Sequence, residues 1–307
     1  MIRPPRLHAG DLVGVCAPAG AVDPERLRKG VAALESLGLR VRVGEGTLGR
    51  LFFTSGSASQ RRDALQALLA DDEVRAIVCA RGGAGASALL PLLDPALFRR
   101  HPKALLGCSD ITFLHLFLQT LDLVSLHGPM VAGDLARGSY DAGSLRHALF
   151  GEGAPLATEA DDLEVLRAGE GEGVLLGGCL SILASAAGTP WALRPRSEGT
   201  LLFLEDVHER PYRIDRMLRQ LRQSGAFAGL RGLVFGDMQG CAPKVEEGYS
   251  LEAVVLEALE GLEVPVALGL SSGHTRLPAL TLPFGVRARL SCDGSVGRFE
   301  LLEPALA

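Results

Sequence analysis

The sequence predicts an α/β protein in two parts, an N-terminal domain on a parallel α/β sheet and a C-terminal, strand-rich domain with a mixed sheet. Three observations carry this expectation. The chain has 307 residues, more than one ordinary domain holds. Its first half alternates apolar strand-like runs with helical patterning, which builds a parallel sheet covered on both faces. Around 151–172 the pattern breaks into Gly, Glu, Asp and Ala, and beyond it strands follow with few helices between them. The expected division is therefore 1–150 as the N-terminal domain, 151–172 as a linker and 173–307 as the C-terminal domain.

The elements follow in order. Leu12-Val13-Gly14-Val15-Cys16-Ala17 reads as a first core strand. Arg3 and Arg6 before it imitate a signal peptide, but the apolar run is short and leads into helical patterning. Asp23 can cap a helix with Pro24 at its first position, Leu27, Val31 and Leu34 on one face, and Gly38 as its stop. The strand Leu39–Val43 follows. Ser57 and Gln60 form a capping-box pattern ahead of Ala64, Leu65, Leu68 and Leu69, and Val74–Cys79 then reads as a buried strand. Ala104–Gly107 and Leu123–Leu126 extend the series. In the second half, Gly177-Gly178-Cys179-Leu180-Ser181 opens a small-residue helix ending near Gly188, and a strand at Leu201–Leu204 delivers Glu205 and Asp206. Pro211 starts a helix with Ile214, Met217, Leu218 and Leu221 on one stripe. Gly232–Phe235, Val286–Leu290 and Gly297–Leu301 read as strands.

Composition narrows the function. A chain that is 47% hydrophobic and 22% charged, without long charge runs, is expected to pack rather than remain disordered. The net charge of −5 gives no electrostatic reason to bind nucleic acid. No stretch is long enough to span a bilayer. Six cysteines (Cys16, Cys79, Cys108, Cys179, Cys241 and Cys292) lack any C-x-x-C pair and mostly occupy apolar strand-like settings. Reduced cytosolic thiols fit them better than a disulfide framework or a zinc site.

The strand Ala104–Gly107 runs into Cys108-Ser109-Asp110 and then into the apolar helix pattern Ile111-Thr112-Phe113-Leu114. A strand that stops at a hydroxyl and restarts as a helix is one way hydrolases expose a serine nucleophile beside helix-terminal N–H groups. Ser109 is favoured because the helix opens at Asp110 and Ile111, although Cys108 beside it is a competing nucleophile of the kind amidotransferase-like hydrolases use. A serine needs a base, a group to orient that base, and donors for the oxyanion. Among seven histidines, His274 in Ser271-Ser272-Gly273-His274-Thr275 has the most site-like setting, and a solvated surface histidine is its plain alternative. His115 lies six residues past Ser109 on one helix, which at about 100° per residue turns it away. His127 at a strand end suits a structural role, and the role of His208 stays open. Glu205 can orient a histidine or, like Asp206, cap a helix or pair with Arg210 and Arg213. Arg81-Gly82-Gly83-Ala84-Gly85-Ala86 follows a strand and suits an oxyanion hole, an anion-binding loop or a simple tight turn, but completes no nucleotide motif.

These segments together resemble the L,D-carboxypeptidase family of serine peptidases, which includes the muramoyl-tetrapeptide carboxypeptidases and the microcin C immunity peptidases. In order they are Val13–Gly20; Arg81-Gly82-Gly83 with Leu89-Leu90-Pro91; Gly107–Thr112; His127-Gly128-Pro129-Met130; Gly177–Ser181; Leu204–Val207; Pro211–Leu218; and Gly273-His274 with Leu280–Gly285. The resemblance implies Ser109 as nucleophile, Glu205 as triad acid and His274 as triad base. It implies an oxyanion hole from the backbone N–H groups of Asp110, Gly82 and Gly83, and a triad divided between the two domains. Several positions depart from the pattern: Ala84 where the family often has Tyr, Cys179 where it often has Asn, and Ser272-Gly273-His274-Thr275 where it often has a Phe-Gly-His-Gly-like run. These bear on pocket shape and substrate choice more than on chemistry.

The expected enzyme is a hydrolase that removes a terminal D-amino acid, D-alanine from murein tetrapeptide in peptidoglycan recycling. Arg81, Arg210 and Arg276 are the cations expected to meet the substrate's terminal carboxylate. No cofactor and no metal are expected, nor a nucleic-acid or membrane partner. The family resemblance implies a cytoplasmic homodimer acting on a small peptide. An alternative is a microcin C-type immunity peptidase that cuts a peptidyl-nucleotide amide, for which an aromatic such as Trp191 would stack on adenine. Another class altogether is a non-catalytic ligand-binding module, against which intact Ser109, Glu205 and His274 argue.

Overall fold

Local signals set many of the element boundaries. The computed structural model describes residues 1–158 and 163–307. Its first elements are β1 (Leu12–Cys16), α1 (Pro24–Ser36), β2 (Arg40–Val43), α2 (Ala58–Ala70), β3 (Val74–Cys79), α3 (Pro95–Arg100), β4 (Ala104–Gly107), α4 (Thr112–Thr120), β5 (Ser125–His127) and α5 (Ala142–Phe150). Then come β6 (Glu164–Arg167), β7 (Gly169–Cys179), α6 (Leu180–Ala186), β8 (Thr200–Glu205), α7 (Pro211–Gln223), β9 (Leu230–Phe235) and α8 (Leu251–Ala258). The last are β10 (Val266–Leu268), β11 (Leu282–Phe284), β12 (Arg287–Asp293) and β13 (Val296–Leu301). Asp23 caps α1 through the Arg26 N–H with Pro24 in the first turn, and both arms of the Ser57/Gln60 capping box are made at α2. Gly38, at φ +88, follows α1 where its chain must turn toward β2.

The fold is α/β, with one mostly parallel sheet and one mixed, strand-rich sheet. The chain forms two compact units. The first comprises Met1–Ala154, Leu277–Pro283 and Pro304–Ala307, and the second comprises Pro155–Arg276 and Phe284–Glu303. In the first unit the sheet order is β11-β5-β4-β3-β1-β2, and β1 pairs in parallel with both β2 and β3. The chain steps outward from β1 to β2, then back past β1 to β3. Right-handed crossovers therefore put α1 and α2 on opposite faces. Leu27 and Leu34 of α1 share a core with Val13, Val15, Val78 and Leu106. On the other face, a Cβ added at Gly14 would meet Leu68 of α2 at 3.0 Å. Strand order reverses at β1 and β3, the switch point where such sheets bind ligands beyond their carboxyl ends. The loops Pro18–Gly20, Arg81–Gly83 and Cys108–Asp110 all leave from that edge.

In the second unit the order is β13-β12-β7-β8-β9-β10-β6. Strands β7, β8, β9 and β10 run parallel, while β12, β13 and β6 are antiparallel to their neighbours. Glu205 ends β8, Asp237 follows β9, and the segment 269–276 follows β10, so all three leave from carboxyl ends of adjacent parallel strands.

The structure differs from the expected linker at 151–172. Residues 164–167 form β6, and β7 begins at Gly169. The run Gly169-Glu170-Gly171-Glu172-Gly173 alternates with the strand period of two: Glu172 pairs with Arg287 and Arg289 across the β7–β12 ladder, while a Cβ at Gly171 would lie 1.8 Å from the Arg231 carbonyl. Glycine is required there by close backbone approach, not by a loop. Residues 159–162 of the expected linker lie outside the described residues. Neither unit is a continuous segment, because 277–283 and 304–307 belong to the first. No helix among the described residues is long and apolar enough to cross a membrane.

Candidate active site

In the first unit, β4 ends at Gly107 and the backbone turns sharply. Ser109 takes φ +61, a left-handed conformation unusual for a residue with a Cβ, and opens a single 3-10 turn over Ser109–Ile111 that leads into α4. The elbow thus holds a half-buried serine at the carboxyl edge of the sheet. Gly82, from the loop after β3, faces it: an added Cβ would lie 2.8 Å from Ser109 Cβ, 3.1 Å from Ser109 Oγ and 3.3 Å from Asp110 N. The missing side chain leaves a space bordered by a hydroxyl and a backbone N–H. That N–H belongs to the first helical turn, where donors precede any intrahelical acceptor.

The elbow is fastened beneath. The Asp110 carboxylate accepts from the Ala86 N–H at 2.8 Å, and burial pushes its pKa upward, with nearby Arg61 opposing. Arg61 is itself buried and donates to the carbonyls of Pro18, Gly56 and Gly85. One guanidinium therefore ties together the loops after β1, before α2 and after β3. The Gly20 N–H donates to the Gly82 carbonyl at 2.9 Å, and Gly83 adopts φ +107.

In the second unit, β8 carries Glu205 to full burial, 0% exposed. Its Oε2 accepts from His274 Nδ1 at 2.7 Å and from the His274 backbone N–H at 3.1 Å. A carboxylate oxygen that accepts from Nδ1–H fixes the tautomer whose basic lone pair is on Nε2. Two glycines make room for this pair. A Cβ at Gly273, which has φ +74, would lie 2.6 Å from the Glu205 carboxyl carbon, and a Cβ at Gly236 would lie 2.8 Å from Glu205 Cβ. The neighbouring acid takes the other role open to it. Asp206 accepts from the N–H groups of Ser181 and Val207, serving the start of α6, and burial pushes its pKa upward.

The remaining candidates separate by their surroundings. Cys108 is 3% exposed, so its thiol is buried where the adjacent serine is not. His115 is buried between the Gly107 carbonyl and Ser125 Oγ, each at 2.8 Å, and burial pushes its pKa down to about 4. It supports the end of β4 from below. His127 is fully buried beside it. His208, at φ +56, donates its backbone N–H to the Gln239 carbonyl. Of the three cations, Arg81 donates to the Ala21 carbonyl at 2.9 Å and Arg210 pairs with Glu247 at 3.2 Å. The backbone N–H of Arg276 donates to Asp237 Oδ2 at 3.0 Å. Sequence reasoning did not single out Asp237, yet it follows the apolar strand β9 just as Glu205 ends β8. The same signal, an acid at the end of a buried strand, marks both.

Two family models match this chain: the LD-carboxypeptidase N-terminal domain over residues 13–128 and the LD-carboxypeptidase C-terminal domain over residues 172–290. A Bacillus subtilis protein named "Probable murein peptide carboxypeptidase" is 39% identical over 296 residues, covering 94% of this chain and 91% of that one. The crystal structure of muramoyltetrapeptide carboxypeptidase from Oxalobacter formigenes superimposes with a TM-score of 0.83 at 30% identity, covering 95% of this chain and 99% of the other. That of an MccF-like protein from Bacillus anthracis str. Ames gives a TM-score of 0.86 at 26% identity, covering 98% and 99%.

Proposed function

We propose the following activity for this chain, which belongs to the LD-carboxypeptidase family: it hydrolyses the amide joining an L-centre to a terminal D-amino acid, releasing D-alanine from murein tetrapeptide. Ser109 Oγ attacks the carbonyl carbon as His274 Nε2 takes the hydroxyl proton. The C–N bond then breaks, His274 returns the proton to the leaving amine, and the free D-amino acid departs. Water, deprotonated by the same imidazole, hydrolyses the acyl-serine ester. Glu205 holds the imidazole in its basic tautomer and stabilises the imidazolium. The Asp110 N–H, with those of Gly82 and Gly83, receives the oxyanion in the space that a side chain at residue 82 would fill.

The observation that carries this reading is the 2.7 Å bond between the buried Glu205 carboxylate and His274 Nδ1. Such a pair serves a base that must be oriented, and the serine elbow is what such a base serves. Arg81, Arg210 and Arg276 are the candidate cations for the substrate's terminal carboxylate, and of these Arg210 is already paired with a carboxylate, that of Glu247. The family reading further implies work in the cytoplasm as a homodimer, without metal or cofactor.

The test is release of D-alanine from an L,D-linked tetrapeptide by the purified protein, beside its L,L-linked counterpart. Ser109→Ala should lower turnover on the order of 10⁴-fold or more, and Cys108→Ala should retain it. Release that survives Ser109→Ala overturns the mechanism. The likeness to an MccF-like protein supports a second reading, an immunity-type peptidase, and a peptidyl-nucleotide amide belongs in the same assay. Faster cleavage of that amide than of the tetrapeptide would select it.

A further inference from the structure

His274 is held through two carboxylates, and only one of them touches it. Glu205 fixes residue 274 itself, through its ring and its N–H. Asp237 fixes the two residues that follow: its Oδ2 accepts from the Thr275 hydroxyl and, at 3.0 Å, from the Arg276 N–H. Asp237 stands two residues beyond β9, a strand hydrogen-bonded on both sides by β8 and β10. It is therefore placed by the end of a central strand, as Glu205 is placed by the end of β8.

The chain needs a fixed point here. Gly273, at φ +74, precedes the histidine in a left-handed conformation that glycine adopts without strain. After Arg276 the chain leaves this compact unit for the segment 277–283 of the other. Rotation of the 274–275 peptide would swing the imidazole about its bond to Glu205, and a displacement near 1 Å at a reacting group costs on the order of 10²-fold in rate. A carboxylate gripping both 275 and 276 resists that rotation. The hydroxyl half of the grip belongs to Thr275, which stands where the family pattern often has glycine.

We propose that Asp237, acting through Thr275 and the Arg276 N–H, is a positioning residue that holds the His274 imidazole in its proton-transferring orientation. The proposal rests on the assignment of His274 as the base. A residue of this kind affects the transition state more than the binding of substrate, so its removal lowers kcat by more than it raises KM.

The test is steady-state kinetics of Asp237→Ala, Thr275→Val, Thr275→Ser and His274→Ala on the L,D-linked tetrapeptide, with thermal unfolding of each. Asp237→Ala should lose about tenfold or more in kcat with a smaller rise in KM, since it also releases the Arg276 N–H, whereas Thr275→Val leaves that bond in place and should keep KM within about twofold. Thr275→Val should lose about threefold, and Thr275→Ser, which keeps the hydroxyl, should restore most of that loss. Wild-type kcat in a folded Asp237→Ala, or a Thr275→Val loss that Thr275→Ser fails to restore, overturns the proposal. Should Asp237→Ala not fold, the Thr275 pair decides alone. Loss of turnover in His274→Ala with none in Asp237→Ala refutes the positioning role only, whereas turnover retained in His274→Ala refutes the base assignment and this proposal with it.

Discussion

Ser109 occupies a left-handed backbone conformation beside a space kept open by Gly82, whereas Glu205 and His274 lie in ordinary backbone and are joined by two hydrogen bonds. The contrast fits the roles proposed for the two groups. A nucleophile has to leave its hydroxyl accessible, which suits a serine on a strained turn with side chains withheld from its surroundings. A base has to point, so the fold surrounds it with partners. Strain and empty space define the surroundings of Ser109 in the first unit, and satisfied hydrogen bonds define those of His274 in the second.

Removing the partner should have the largest effect. Glu205→Ala takes away both bonds to His274 and is expected to lower kcat about 10⁴-fold. Glu205→Gln is the sharper experiment. Oε2 accepts both bonds while Oε1 has no hydrogen-bond partner among the described residues. The amide oxygen can therefore stand where Oε2 does, with its NH₂ at the Oε1 position. The tautomer is kept and only the charge is lost, so kcat should fall about 10²-fold instead. Equal losses in the two variants would show that charge, not orientation, is what Glu205 supplies.

Filling the space should come next. Gly82→Ala places a methyl group 2.8 Å from Ser109 Cβ and 3.3 Å from Asp110 N, in the volume assigned to the oxyanion. A loss of about 10²–10³-fold in kcat is expected, the scale of removing an oxyanion donor. Stability measured alongside should fall much less than activity. A Gly82→Ala enzyme with normal kcat would show that this space is not where the reacting carbonyl sits.

The two halves also differ in how far the sequence announced them. The strand-to-helix elbow at Ala104–Ile111 was legible because its signal is local, an apolar strand, a hydroxyl and a helical stripe within a dozen positions. The same holds for the Ser57/Gln60 capping box and Pro24. Composition hides the strands at 164–172: Gly and Glu suggest a loop, but their alternation is the strand period, and the arginines that pair with Glu172 lie more than a hundred residues away in β12. Asp237 is hidden in the sequence for a related reason, since its value lies in bonds to Thr275 and Arg276 that only the adjacency of β9 and β10 creates. The return of 277–283 and 304–307 to the first unit has no local signature at all.

The smallest effect tests the strain itself. Ser109→Ala and Ser109→Gly both remove the hydroxyl, so both should be inactive, but only glycine accepts φ +61 without penalty. Left-handed backbone costs a residue with a Cβ about 1–2 kcal/mol, while the extra freedom of glycine in the unfolded chain offsets about 0.5–1 kcal/mol of the relief. Ser109→Gly should therefore be the more stable of the two by roughly 0.5–1 kcal/mol in denaturant unfolding. Ser185, inside α6, supplies the control. There, in the last turn, glycine should still be less stable than alanine, by about 0.5 kcal/mol, a reduced form of the helix-interior penalty. Opposite signs at the two serines would locate the strain at the nucleophile. The same sign at both would mean that the elbow relaxes when its side chain changes, and the contrast between a strained half and a satisfied half would then not hold.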